Sequence, residues 1–434
     1  MNDMRIYICI CLLLFVGCQN KANETPIKNN IVAVLELSDL SKFQTKSGFG
    51  LSEISSNIDV VPLETKDESL ISSIADMIIT NTDILIEDVR NGVLRFSRNG
   101  DFINKIGKKG NGPDEYIMLE QIEYDEINRE VYFFTGRGIK VYSLEGHYKR
   151  IISDKSVSEF YDNRQGRCFL FDKYFWLNGK LPLRQGTDAL WTFAVYDKNM
   201  NYIDEFYNNN ILENVEYVKN NRSPLKGWVN YCTESFANVD FYNNEMKILY
   251  YGNDTIFKID REGLNLKPVC FLSVGKKPDF QISHEWIKSE SFFKYLLVND
   301  FFESDKYFYF LLGKSNLSYT VRYEKKSGNI VFVESKSNIK ETKMPGSPGW
   351  IYKRREDSFT FVDDIIGGSK FVIKFRSKGK YLVDLITPSN VGDEKRISNL
   401  KNALVKKEKY KNILGVLNDV KEDDNPILLI ATLK

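Results

Sequence analysis

The densest run of residues with chemical potential is Ile106-Gly107-Lys108-Lys109-Gly110-Asn111-Gly112-Pro113-Asp114-Glu115-Tyr116. Glycines beside lysines suit a backbone cradle for phosphate. The spacing is wrong for one, because neither Gly-x-x-x-x-Gly-Lys-Ser/Thr nor Gly-x-Gly-x-x-Gly occurs in the run. The simpler account is a connector that needs positive φ at its glycines and is ended by Pro113. Binding residues are often carried on such loops. Lys109, Asn111, Asp114, Glu115 and Tyr116 are therefore the candidate ligand-binding residues.

Other chemistries find less support. The two histidines, His147 and His284, form no His-x-x-x-His pair, so no metal ligand is assigned. Glu87, Asp88, Asp363 and Asp364 offer oxygen donors of the kind Ca²⁺ takes, although solvated strand ends explain them more simply. No other cofactor is expected. No Gly-x-Ser-x-Gly elbow is present, and no catalytic residue is assigned. Paired-carboxylate glycosidase chemistry depends on a separation that sequence does not carry. Trp176, Trp191, Trp228, Trp286 and Trp350 would either stack on sugars or fill gaps in a core.

These residues must be positioned by something, and the composition says what. The chain has 434 residues, 42% apolar and 27% charged, with 29 Phe and 24 Tyr against 11 Pro. Flat aromatic side chains pack well on a pleated surface, so strands are expected to dominate. The net charge of +1 gives no global field toward nucleic acid, and no nucleic-acid partner is expected.

The N-terminus stands apart. Arg5 precedes an apolar run, Ile6–Val16, that is shorter than the about 20 residues needed to span a bilayer. It ends at Leu14-Phe15-Val16-Gly17-Cys18, which resembles the lipobox of bacterial lipoproteins. That resemblance implies that residues 1–17 are a signal peptide and that Cys18 is the lipidation site. Two or more acyl chains would then hold the mature protein at a membrane. Residues 18–57 are expected to be the lipidated cysteine and a mostly flexible tether, polar and unpatterned over 19–30 and loose again over 41–57. With Cys9 and Cys11 in the signal, Cys168, Cys232 and Cys270 remain, which permits at most one disulfide. Buried free thiols are the simpler account.

From residue 58 onward one unit keeps returning. Its clearest copy is Ile84–Asp88, a turn at Asn91-Gly92, Val93–Ser97, a turn at Asn99-Gly100, and Phe102-Ile103. Further copies fall at 131–148, 192–202, 247–263 and 307–328, with a degenerate sixth at 358–375. Four strands per unit make a propeller blade, and a ring of blades hides its sheet edges. The expected fold is therefore all-β: a six-bladed propeller of four-stranded antiparallel blades over residues 58–434. Six units over that span exceed the roughly 40–50 residues of a common propeller repeat. The excess is assigned to connectors at 155–190, 208–235 and 264–300, with a short helix within 284–298. A helix over 393–420 precedes a terminal strand, Ile427–Leu433, expected to pair with Val60–Leu63 and close the ring.

Val60-Val61-Pro62-Leu63-Glu64-Thr65, the 106–116 connector, Asn253-Asp254-Thr255-Ile256 and the closing strand are similar to the six-bladed propeller lipoproteins of Bacteroides-type bacteria. Asp114 stands where that family usually has glycine. The resemblance implies an NHL-like propeller and an outer-membrane location, on the periplasmic side or at the cell surface. It brings no activity with it. Asp254-Thr255-Ile256 also resembles a short O-glycosylation acceptor of these bacteria.

The expected function is a membrane-anchored binding or scaffold module, monomeric, with a protein, peptide or glycan partner. The alternative is a metal-dependent enzyme of the lactonase or lyase type with its site on the propeller axis, warranted only by analogy of fold.

Overall fold

The computed structural model describes residues 33–135, 138–152, 167–178, 191–208, 213, 237–250, 253–260, 264–279, 290–343, 351–367, 370–390 and 392–434. Six antiparallel sheets are arranged as blades around an axis. Blade 1 is Ile74–Ile79, Asp83–Asp88, Gly92–Ser97 and Phe102–Ile106. Blade 2 is Leu119–Asp125, Glu130–Thr135, Gly138–Ser143 and Tyr148–Ile152. Blade 3 is Cys168–Phe171, Tyr174–Asn178, Trp191–Asp197 and Tyr202–Tyr207. Blade 4 is Ala237–Tyr242, Glu245–Tyr250, Thr255–Asp260 and Asn265–Ser273. Blade 5 is Leu297–Glu303, Tyr307–Lys314, Leu317–Glu324 and Ile330–Lys336. Blade 6 is Phe375–Ser377, Tyr381–Ile386, Ile427–Leu433 and, from the other end of the chain, Ser55–Pro62.

Alternation of apolar residues along the strands gives each blade two buried faces, and each gap between blades holds its own core. Ile84 and Ile86 face blade 6, where Val383 and Ile430 meet them. Leu85 and Val93 face the other way, toward Ile122 and Tyr124 of blade 2. The same arrangement recurs around the ring, through Phe134 and Phe175, Trp176 and Ile248, Leu249 and Phe310, and Tyr309 and Leu382. The ring closes as expected, with Val60 opposite Leu429 and Pro62 opposite Ile427 at the end of an outer strand.

The first strand of each blade is innermost, and first strands of neighbouring blades touch around the axis. Successive strands reverse, so all first-to-second and third-to-fourth links start from one face. There the links are tight. In two of them Gly100 and Gly146 adopt φ of +97° and +92°, and a Cβ on Gly100 would lie 2.1 Å from the Pro62 carbonyl oxygen of blade 6. The second-to-third and blade-to-blade links join strand ends on the opposite face. Every long segment falls among them, including 153–167, 208–236, 274–296, 337–374 and 387–426. These are called here the turn face and the connector face.

Four expectations are corrected. Residues 33–57 are not a loose tether. Ala33–Glu36 runs parallel to Asn265–Ser273 as a fifth strand on blade 4, and Gln44–Thr45 does the same beside Ile330–Lys336 on blade 5. Leu35, Leu37, Phe49 and Leu51 are fully buried. Leu35 and Leu37 enter the core between blades 4 and 5, and Phe49 and Leu51 the core between blades 5 and 6; two isolated i, i+2 pairs are too short a pattern to stand out in the sequence. The degenerate unit at 358–375 is not a blade but a small hairpin, Thr360–Val362 with Lys370–Val372, whose Phe361 and Phe371 fill the core between blades 5 and 6. Two of the expected connectors, 155–190 and 264–300, contain blade strands. The helix over 393–420 is two helices, Asp393–Leu404 and Lys411–Asn418. The break seats Tyr410, which is buried and donates its hydroxyl to the Ile58 carbonyl at 2.8 Å. Of the short helix expected within 284–298, Glu290–Phe293 lies in the described residues. No helix among the described residues is long and apolar enough to cross a membrane.

Candidate functional site

The 106–116 connector joins blade 1 to blade 2 on the connector face. Its backbone folds back on itself, with Tyr116 N–H donating to the Lys108 carbonyl and Gly110 N–H to the Tyr116 carbonyl, both at 2.9 Å. Three consecutive carbonyls point inward. Lys140 from blade 2, nearly buried, donates its ammonium to Pro113 O at 2.7 Å and also to Glu115 O. Tyr142 donates its hydroxyl to Asp114 O at 2.8 Å. A protonated amine thus organises the loop from below, much as a bound cation would.

This geometry sorts the candidate residues. Glu115 is turned back into the loop, accepting from Gly112 N–H at 2.9 Å and pairing with Lys108 at 2.7 Å. The Lys108 ammonium, then the Gly112 N–H, hold its carboxyl below the usual range. Tyr116 is buried edge-on against Phe133, and burial pushes its hydroxyl up to about 12. Lys109, Asn111 and Asp114 are the three that reach solvent.

The axis carries a second concentration of chemistry. In blades 1 and 5 the first strand bulges, and the aspartate after the bulge, Asp76 or Asp300, accepts the next residue's N–H. Asp76 pairs with Arg167, which immediately precedes blade 3. Asp300 takes both terminal oxygens to Arg376 of blade 6, at 2.8 and 3.0 Å. The same guanidinium donates to Phe301 O at 2.6 Å and reaches Asp240 of blade 4 at 3.4 Å. At the matching bulge of blade 2 stands Gln121, which bonds both backbone groups of Cys168 in blade 3.

Two axial carboxyls are less well answered. Glu123 is buried and accepts from the Gln121 amide at 3.2 Å. Burial pushes it up to about 7, against the pull of Lys378 and Arg167. Asp240 accepts from Glu303 N–H at 2.9 Å, and burial likewise pushes it up to about 7, against the pull of Arg376. The axis is therefore a mixed-charge plug, with Arg167, Arg376 and Lys378 set among the acids. Among the described residues no three His, Cys, Asp or Glu side chains could hold a metal ion together.

The carboxylates considered for Ca²⁺ are not gathered. Asp88 accepts N–H groups of Ser72, Ser73, Arg90 and Asn91. Asp363 accepts from Ile365 and Ile366, and Asp364 from Ser52. Glu87 is buried beside Asp88 in blade 1.

The family described as "Domain of unknown function (DUF4934)" matches residues 35–432. The chain belongs to the DUF4934 family. No curated protein matches it. Among solved structures, a Bacteroides fragilis NCTC 9343 protein described as exported, BF0058, is similar with a TM-score of 0.57 and 16% identity. That similarity covers 93% of this chain and all of the other, 100%, and shows a shared fold. A member of the duf4221 family from Bacteroides vulgatus ATCC 8482 is more distant, with a TM-score of 0.42 and 9% identity over 88% of this chain and 97% of that one.

The DUF4934 propeller places the remaining candidates as follows. Trp176 is fully buried and stacked on Phe206, unavailable to a sugar. Cys168 and Cys270 are buried free thiols, and burial pushes Cys270 up to about 12. His147 is exposed on a turn of the turn face. Thr255 is buried at the start of a strand, which removes it as a glycan acceptor in the folded protein. Cys18, Cys232, His284, Trp228, Trp286, Trp350 and the side chain of Trp191 lie outside the described residues. Sequence reasoning missed the axial charges of the DUF4934 fold. One of them had a signal, the lone charge Asp76 inside the otherwise apolar Ile74–Ile79; Glu123 and Asp300 sit in opening strands that carry other acids and gave none.

Proposed function

We infer that this DUF4934 protein is an exported, lipid-anchored binding or scaffold module that presents its connector face to a partner in the cell envelope. The observation that carries this reading is topological. All long segments join strand ends on one face, while the opposite face keeps tight turns. Rigid scaffolds position variable loops in this way when the loops do the recognising. The axial plug supports a non-catalytic reading, because Asp76 and Asp300 are matched to Arg167 and Arg376 from other blades and these pairs knit the ring together. Anchoring through Cys18 is supported by the lipobox-like Leu14–Cys18 run, and export also by the description of the similar B. fragilis protein.

Metabolic labelling with a clickable fatty acid, followed by envelope fractionation, tests the anchoring. The full chain is expected to carry label and sediment with membranes, and Cys18→Ala to be unlabelled and released. An unlabelled full chain that still loses its first seventeen residues would contradict the anchor.

A further inference from the structure

Three connector-face segments of blades 1 and 2 are stitched into one surface. The Asp88 carboxylate gathers the N–H groups of Ser72 and Asn91, each at 2.6 Å, together with those of Ser73 and Arg90. Asn91 donates its side-chain amide to Leu70 O at 2.8 Å. The Tyr116 hydroxyl lies against Gly92, where a Cβ would come within 2.0 Å of its oxygen. Segments 70–73, 88–92 and 107–118 therefore hold one another, and side chains on them are pre-positioned.

On this backing stand Leu70, Val89, Ile117 and Met118, which are 41%, 63%, 42% and 55% exposed. Arg90 and Lys109 are exposed on the same segments, with no carboxylate in ion-pair range among the described residues. The carboxylates on these segments are answered internally, Asp88 by backbone N–H groups and Glu115 by Lys108. Lys108 also attracts Asp114.

We propose that this surface docks a short protein segment carrying aliphatic side chains next to carboxylates. The proposal rests on the connector face being the binding face and adds the partner's chemistry. Aliphatic side chains on a rigid base are complemented by aliphatic side chains, and the two free cations by acids. A sugar face would ask for an exposed aromatic ring, and Tyr116, the ring in this loop, is buried. An apolar patch of this kind is on the order of a few hundred Å². That is below the roughly 800 Å² per partner of a stable protein interface, so the match is a segment of chain rather than a whole domain face, bound with micromolar affinity at best.

Random peptide libraries displayed on phage and panned against the full chain test this. Enriched peptides are expected to place Leu, Ile or Val beside Asp or Glu. Met118→Glu and Val89→Asp, at exposed positions that leave the melting temperature unchanged, should each weaken binding at least about tenfold by setting a carboxylate against an apolar contact. Arg90→Glu should weaken it too and reduce its salt sensitivity. Peptides that bind all three variants like the unchanged protein would overturn this site, as would glycan or anionic-vesicle binding that Met118→Glu abolishes. If those peptides are also blocked by a bulky label on turn-face Ile127, the connector-face reading falls with the site. If the label leaves them bound, only the site falls.

Discussion

Arg376→Met is expected to cost about 3 kcal/mol of folding stability, the lower end of the range for breaking a buried pair. The guanidinium is a hub: it holds both oxygens of Asp300, the Phe301 carbonyl and the edge of Asp240, which joins blades 4, 5 and 6 at the axis. Removing it leaves two carboxylates facing each other and a carbonyl without its donor. The low end applies because the Arg376 side chain is 25% exposed, so water reaches the pair along the axis. Urea titration at neutral pH reads the loss directly. Arg90→Met, a surface change, should move stability by no more than about 0.5 kcal/mol. A loss below about 1 kcal/mol at Arg376 would show that the apolar gaps between blades hold the ring without its axial charges.

Stability is also expected to fall as pH rises from 5 to 8. Glu123 and Asp240 have folded-state values raised to about 7 from ordinary values of 4.5 and 3.8. A raised acid favours the protonated form in the fold. Its contribution is complete below the unfolded value near 4 and is lost as pH climbs through about 7. The folded chain holds protons that the unfolded chain has released, so the slope of unfolding free energy against pH is negative in this window. Each group contributes on the order of 2–3 kcal/mol between pH 5 and 8. Carboxylates shifted the other way, such as Glu130, held at about 2 chiefly by Arg150, act only in stronger acid. Glu123→Gln keeps the shape and the bond to Gln121 and removes the titration. It should match the unchanged protein at pH 5 and exceed it at pH 8. A flat profile, or a Gln variant as pH-sensitive as its parent, would contradict this account. The groups facing Glu123 are Lys378, Arg167 and Asp76, and those facing Asp240 are Arg376, Asp300 and Glu303.

The contrast between what the residues announce and what the fold does is instructive. Blades 1 to 5 are legible because their hairpins are local: Val93–Ser97 alternates, and Asn99-Gly100 turns the chain where only a glycine can approach Pro62. The closing strand is legible because Ile427–Leu433 is apolar enough to be buried on both faces. Its partner near the other end of the chain, Val60–Pro62, is legible with it, but the first two strands of blade 6 are not, because the opening strand, Phe375–Ser377, has only three residues. The aromatic-rich 358–375 stretch imitates a blade while serving as filler between two others. Residues 33–57 carry only two short pairs of anchors, Leu35 with Leu37 and Phe49 with Leu51, among polar residues, so they read as tether. For the candidate site, position on the connector face was legible from chain order. Orientation was not: Glu115 and Tyr116 look like binding residues beside Asp114, and the fold turns both inward to build the loop.

The connector face is claimed to be the one engaged in the envelope, and paired cysteine labelling measures that claim most directly. Lys109→Cys on the connector face and Ile127→Cys on the turn face would be reacted with a maleimide in intact envelopes and in the purified protein, with the parent chain as background. Slower labelling at position 109 in envelopes, with position 127 unchanged, is the expected result. Equal labelling at 109 in both settings, or protection at 127 instead, would contradict the account.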